Sequence, residues 1–411
     1  MSSRTKNQDK AFEKFRELKV GALFMKMGSG KTRVAIDLVN YNQVDYCLYV
    51  TPYATKDNIV AELKRWKIDC PCDVVGYETI QSSSLVFLEL LEKLKGKRNF
   101  IIADESIFIK NEKTKRFGRL LLLRNECEYA LLLNGTPLTN NEWDLYNQMY
   151  FLSPKIIGMN REQFLNTFFT QINYKRKGER EHTFYKFSEI NAEALNELIS
   201  PYTFECDLVF DKNENEQTFE MWCDKSAYVE EKGRKLSEYL SKGDSETIIN
   251  MLTKLSVIAS NAKEKNDRVC EYIKGKRVIV YCNFISEVEY IASKVDCYVI
   301  TGGTKHRRAI VEQFKNDNKP LLMTFGVGAF SLNMQFCNEI VYSSLNFDFG
   351  KIEQSKYRIK RIGQSNDIAY TYFLGDFGIN KLILENLKRK QTLESLVKEK
   401  FKEGKEWVKY V

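Results

Sequence analysis

Short apolar runs alternate along the chain with stretches in which apolar residues recur every three or four positions. Val20 to Phe24, Cys47 to Tyr53, Asp73 to Tyr77, Asn99 to Asp104 and Tyr129 to Asn134 are runs of the first kind, bounded by Gly, Pro or acidic residues, and they predict strands. Arg4 to Leu18, with Phe12, Phe15 and Leu18 on one face, predicts a helix, as do Arg33 to Asn40, Asp57 to Trp66 and Leu85 to Leu94. The pattern restarts near Lys276. Strands are expected at Val278 to Cys282, Cys297 to Thr301, Pro320 to Phe325 and Glu339 to Ser343, with helices at Glu287 to Lys294 and His306 to Asn316. Strands this apolar on both faces belong to parallel sheets covered by helices, so the fold class is α/β with two tandem parallel-sheet domains and helical insertions.

The boundaries follow from the breaks. Residues 1–205 form the first domain, with a helical insertion over about 153–205 where the pattern turns helical and strongly mixed in charge. Asp211 to Gln217 (DKNENEQ) is the clearest polar break and opens a linker and helical protrusion over 206–264. Residues 265–411 form the second domain, ending in a basic helical run from Ile379 to Val411.

Composition narrows the setting. A chain of 411 residues exceeds one ordinary core. With no apolar stretch of about 20 residues and no basic-then-apolar leader, a soluble cytoplasmic protein with no membrane partner is expected. The ten cysteines are scattered, Cys70 and Cys72 being the only close pair, and His182 and His306 are the only histidines. They read as reduced core thiols rather than a metal framework. A net charge of +8 permits a polyanionic partner without requiring one.

Two stretches carry chemistry. Met25 to Thr32 reads MKMGSGKT between a strand and a helix. Backbone N–H groups of Met27, Gly28, Ser29 and Gly30 together with a helix N-terminus suit a phosphate, Lys31 suits the β/γ-phosphates and Thr32 a Mg²⁺ ion. Met25 stands where the full G-x-x-x-x-G-K-[ST] spacing has glycine. A glycine turn that merely joins strand to helix is the plainer alternative. The second stretch, NFIIADES, ends a buried strand in Asp104 and Glu105, suited to holding Mg²⁺ through water and to orienting or deprotonating an attacking water. Two acids solvating a strand end would look the same. Gln8, upstream of the glycine turn, could read an adenine edge or sit solvated on its helix.

Further on, EQSKYRIKRIGQ (Glu353 to Gln364) sets Gln354, Arg358 and Arg361 at the spacing Q-x-x-x-R-x-x-R-I-G-Q. With GSGKT, with DES followed by Ile109 to Asn111, and with NGTPLTNN (Asn134 to Asn141), the chain resembles the SWI/SNF-like ATPases of helicase superfamily two from about Gln8 to Gln391. The resemblance implies two tandem RecA-like (P-loop NTPase) lobes, with ATP and Mg²⁺ as ligands in the interlobe cleft. Arg358 and Arg361 become arginine-finger candidates, Gln354 positions them or the nucleotide, and Gly328, in GVGAFSLN, lies in the segment that couples phosphate sensing to grip. A nucleic-acid backbone would be tracked by Thr51, Pro52, Thr79, Asn283, Thr301, Gly302, Thr324 and Asn333. The function implied is an ATP-dependent motor translocating on DNA, duplex favoured over single-stranded, acting as a monomer. A strand-separating DNA or RNA helicase, or a non-hydrolysing nucleic-acid-binding or partner-recruiting module, are the other readings left open. Departures from the family pattern are Lys26 in place of an acid, Ser106-Ile107 after the two acids in place of alanine-histidine, and Phe347 at the aromatic before the arginine segment. With no span left for an accessory domain, a minimal motor is expected, of a kind that suits a phage or mobile element.

Overall fold

The structure is a computed structural model and describes residues 4–135, 143–174, 182–242, 245–329, 332–389 and 396. It divides along the chain into two compact units at Val209 and Phe210.

In the first unit the apolar runs become β1 (Val20–Met25), β2 (Tyr46–Thr51), β3 (Cys72–Gly76), β4 (Asn99–Asp104) and β5 (Tyr129–Asn134). Farther along come β6 (Phe169–Tyr174), β7 (His182–Phe187) and β8 (Thr203–Cys206). The sheet runs β3-β2-β4-β5-β1-β8, and every pairing in it is parallel. Alternate strand residues feed two cores. Leu23, Cys47, Tyr49, Ile102 and Leu133 pack with α1 (Lys6–Phe15) and α2 (Lys31–Asn42) on one face. Ala22, Leu48, Val50, Ile101 and Leu132 pack on the other face with the helices Ser84–Leu94 and Lys115–Asn125. Burial on both sides is why these strands read as unbroken apolar runs.

In the second unit β9 (Glu214–Met221), β10 (Ile279–Cys282), β11 (Tyr298–Ile300), β12 (Leu321–Thr324), β13 (Glu339–Tyr342) and β14 (Ile368–Gly375) form a parallel sheet ordered β11-β12-β10-β13-β14-β9. It too is covered on both faces: Ile279, Tyr281, Met323 and Tyr342 face one core, Val280, Cys282, Leu322 and Val341 the other.

Two stretches differ from the sequence reading. The insertion, read as helical apart from a strand signal at Thr183 to Phe187, carries the helices Arg161–Phe168 and Ala192–Ile199 but also pairs β6 antiparallel with β7, and it ends in β8, which pairs with β1 at the sheet edge. The stretch read as a linker and protrusion contributes β9 to the second sheet, and Ile248, Met251, Leu252 and Leu255 of the helix Ser245–Ser260 are fully buried in that unit's core. β9 hides in the sequence because it is an edge strand, and six of its eight residues are exposed and polar. Of the helical tail, the helix Gly378–Lys388 is described. No helix among the described residues is long and apolar enough to cross a membrane.

Candidate active site

β1 stops at Met25, and the chain turns through two left-handed glycines, Gly28 (φ 82°) and Gly30 (φ 87°), into α2. Gly30 is required twice over, since a Cβ there would lie 2.2 Å from the Gln8 amide nitrogen as well as carrying the φ penalty. Ser29 closes the turn, its hydroxyl donating to the Lys26 carbonyl at 2.6 Å. Lys31 Nζ folds back to donate to the Met25 carbonyl at 2.9 Å, which keeps the ammonium over the loop. No side chain caps α2, so its N-terminus is open to an anion.

Gln8 lies against this loop. Its Oε1 accepts from Thr5 N at 3.0 Å in a capping box, and its Nε2 donates to the Ser29 carbonyl at 2.9 Å. The amide expected to face an adenine edge thus has its oxygen engaged in capping α1 and one N–H engaged with the glycine turn.

β5 lies between β1 and β4, so the carboxyl end of β4 emerges two strands from the loop. There Glu105 adopts φ 52°, unusual for a residue with a Cβ, and such strain is characteristic of functional turns. Burial, with the Glu105 charge alongside, pushes the Asp104 pKa up to about 7, while Lys31 pulls it down. Two carboxylates with one nearby lysine leave this edge short of positive charge, and hydroxyl and carboxylate oxygens are the donors that a hard divalent cation takes. Thr32 and Asp104 therefore fit Mg²⁺.

Sequence reasoning missed the groups that hold these acids. Tyr49 donates to Asp104 Oδ2 at 3.3 Å and also hydrogen-bonds Thr32. Tyr77 donates to the Asp104 carbonyl at 2.7 Å and stacks on Phe108 at 5.2 Å. Ser106, at a departure from the family pattern, is fully buried and donates to Gln148 Oε1 at 2.5 Å, tying the end of β4 to the helix Trp143–Leu152. A buried tyrosine or serine looks like core in a sequence, so no local signal finds them. Gly135, after β5, lies close to the loop, where a Cβ would stand 3.3 Å from Met27 Cγ and 4.0 Å from Lys31 Nζ. Thr136 to Asn141 of the NGTPLTNN stretch fall outside the described residues.

In the second unit the two finger candidates part company. Arg358 is 1% exposed, its side chain set against the Tyr281 hydroxyl and its carbonyl accepting from Met334 N at 3.1 Å. Arg361 reaches the surface, with Nε donating to the Tyr357 carbonyl at 2.6 Å and Nη1 to Asn333 Oδ1. Gln354 is half-buried on the helix Phe349–Lys356, and Gly328 lies in the 3-10 turn Phe325–Ala329.

The residues expected to touch a nucleic-acid backbone, Asn333 apart, lie at or just beyond strand ends, with two kinds of exposure. Thr51, ending β2, is fully buried with its hydroxyl 2.6 Å from that of Thr55, and Thr324, ending β12, is 9% exposed. Any phosphate contact there falls to main chain or neighbours. Pro52 is buried beside Tyr53, which is 63% exposed, and Thr79 is half-buried on the helix Tyr77–Ser82. Arg307 Nη2 donates to the carbonyls of Thr301 and Gly302 at 2.9 and 2.6 Å, so that turn is braced. Asn283, past β10, accepts from Asn346 Nδ2 at 2.6 Å, and its own N–H donates to Glu287 Oε2 at 3.1 Å. Asn333 is exposed.

Comparison with known proteins matches residues 64–205 to the SNF2-related domain and residues 264–363 to the helicase conserved C-terminal domain. A mouse protein described as DNA annealing helicase and endonuclease ZRANB3 is 23% identical over 89% of this chain and 38% of its own length. The Drosophila melanogaster SWI/SNF-related matrix-associated actin-dependent regulator of chromatin subfamily A-like protein 1 is 24% identical over 90% of this chain and 52% of its own. The chain thus spans between about two fifths and about half the length of these curated relatives. Among solved structures, the Sulfolobus solfataricus SWI2/SNF2 ATPase core in complex with dsDNA is 20% identical, with a TM-score of 0.44, over 100% of this chain and 95% of that one. Two family domains in order, each on its own parallel-sheet unit, give the chain the domain arrangement of the SWI/SNF-like ATPases of helicase superfamily two.

Proposed function

We propose that the protein is an ATP-dependent motor that couples hydrolysis to translocation along duplex DNA. The observation that carries this reading is the convergence of Lys31 and Thr32 with Asp104 and Glu105 at one sheet edge of the first unit. The glycine turn and the first turn of α2 bind the phosphates, Lys31 neutralises the β/γ-phosphates, and Glu105 orients the attacking water. Thr32 and Asp104 hold Mg²⁺, which when bound neutralises the phosphate charge that grows during transfer. Arg361 is the arginine-finger candidate, its guanidinium suited to charge that grows during phosphoryl transfer, and Arg358 anchors the segment that carries it from within the second unit's core. The strand-end turns around Tyr53, Thr79, Asn283, Thr301 and Asn333 grip the sugar-phosphate backbone without reading bases.

The test is an ATPase panel over duplex DNA, single-stranded DNA, forked DNA and RNA. Duplex DNA is expected to stimulate most, with no lasting strand separation. Stimulation by single strands or RNA alone would reassign the chain to a strand-separating helicase, and no hydrolysis with any nucleic acid would make it a binding module. A second expectation concerns salt. A reader of about six phosphates loses roughly 10³-fold in affinity between 50 and 200 mM salt. A flat response in a fluorescence-anisotropy titration would remove the backbone-grip picture.

A further inference from the structure

Tyr49 stands out among the buried side chains because the chemistry described above does not use it, yet it touches both residues that would hold the metal. Pairing between β2 and β4 sets Tyr49 opposite Ile102. Because side chains alternate, Asp104, two residues farther along, falls on the same face as Ile102 and Tyr49. The helix α2 packs on that face, with Val34, Ala35 and Leu38 in one core with Tyr49 and Ile102. A tyrosine here is long enough to carry its hydroxyl from the middle of the strand to the carboxyl edge of the sheet. There it meets Asp104 Oδ2 at 3.3 Å and the Thr32 hydroxyl. The ring is fully buried, so its direction is fixed by packing. Nothing about core filling requires a hydroxyl at this end of the ring, and a phenylalanine would occupy the same volume.

We propose that Tyr49 is a positioning residue of the metal site, its hydroxyl bridging Thr32 and Asp104 so that a hydroxyl from the phosphate-loop helix and a carboxylate from β4 are presented together to a divalent cation. The proposal rests on the nucleotide-site reading given above. Outer partners of metal ligands commonly alter metal affinity about 10–100-fold when removed, and Tyr49 acts in that capacity on both ligands at once.

The experiment is equilibrium binding of a fluorescent ADP analogue to the full chain, titrated with MgCl₂ and repeated in EDTA, for the wild type, Tyr49→Phe and Tyr49→Met. The hydroxyl role predicts that both variants bind the analogue in EDTA as the wild type does. Both then require about 10-fold more Mg²⁺ or greater for half of the metal-dependent tightening. A packing role predicts wild-type Mg²⁺ dependence for the isosteric Tyr49→Phe, with a defect confined to Tyr49→Met and accompanied by a lower melting temperature, and that result overturns the proposal. The two readings fail separately. If the wild type binds the analogue in neither condition, the nucleotide site itself is wrong; if the wild type binds and responds to Mg²⁺ but Tyr49→Phe is unchanged, only the role of Tyr49 falls.

Discussion

Replacing Arg361 with alanine is expected to slow DNA-stimulated ATP turnover by about 10³–10⁵-fold, the range that an arginine finger contributes to phosphoryl transfer, while binding of a fluorescent nucleotide stays near wild type. The asymmetry follows from where the residue sits. Arg361 is half-exposed on the second unit, and its guanidinium is aimed by the Tyr357 carbonyl and the Asn333 side chain rather than sunk in a core. Removing it costs little in packing and takes away a charge that matters most as negative charge grows on the phosphoryl oxygens. Arg361→Lys is expected to recover part of the rate, since a point charge replaces the planar fork. Arg358→Ala makes the contrast. That side chain is buried against Tyr281, and its backbone ties the arginine segment to Met334, so its removal should lower the melting temperature as well as the rate. Turnover within about 10-fold of wild type for Arg361→Ala would leave the finger role without support, because the lower bound of the effect is a hundred times larger.

The contrast between these arginines shows what a sequence discloses and what it keeps back. Their spacing marks both, and nothing in the spacing separates a guanidinium held in a core from one at the surface. The glycine turn and the two acids are legible because their chemistry depends on local order: strand, turn, helix, and a strand ending in two carboxylates. The supports are not legible. Tyr49 reaches Asp104 across a strand pairing and Tyr77 from the first residue of the helix Tyr77–Ser82, and a buried tyrosine carries the same signal whether its hydroxyl meets a carboxylate or a carbonyl. Similarly, β14 (IAYTYFLG) carries the mark of a strand, an apolar run between Asp367 and Gly375, yet its place inside the second sheet is not local information, and β9, its polar edge partner, reads as a break. Strand pairing, unlike a phosphate loop, is not written in one stretch of sequence. Gln8, open in the sequence to an adenine contact or to solvent on its helix, is buried with one N–H on the Ser29 carbonyl, a support that no local signal announces.

Glu287→Ala is expected to destabilise the second unit by about 3–5 kcal/mol, the usual result of removing one partner from a buried ion pair. Glu287 is fully buried at the start of the helix Ile285–Ala292, and Lys265, 1% exposed, donates to its Oε1 at 2.9 Å. The Ser343 and Ser344 hydroxyls donate to the two carboxylate oxygens at 2.6 and 2.7 Å, and the Asn283 N–H donates to Oε2. The carboxylate thus gathers the chain just beyond β10 and β13 around one anion, and the helix N-terminus beside it favours that charge. Alanine would strand the Lys265 ammonium in the core, where the Ser343 carbonyl accepts from it but carries no countercharge. Hydrogen exchange reads the effect locally. The slowest amides of β10 and β13 should lose roughly 10²–10⁴-fold in protection, while those of β1 and β5 in the first unit stay as they are. Lys265→Met combined with Glu287→Gln removes both charges and keeps an acceptor for the serines, so it should recover most of what either single change loses. Equal damage in the single and double variants would mean that side-chain shape, not the uncompensated charge, carries the cost. Because Asn283 hangs from the same carboxylate, Glu287→Ala should also weaken DNA binding in proportion to the disorder it introduces at that turn. The double variant retains a side-chain amide oxygen that can accept from the Asn283 N–H, so it should bind DNA close to wild type.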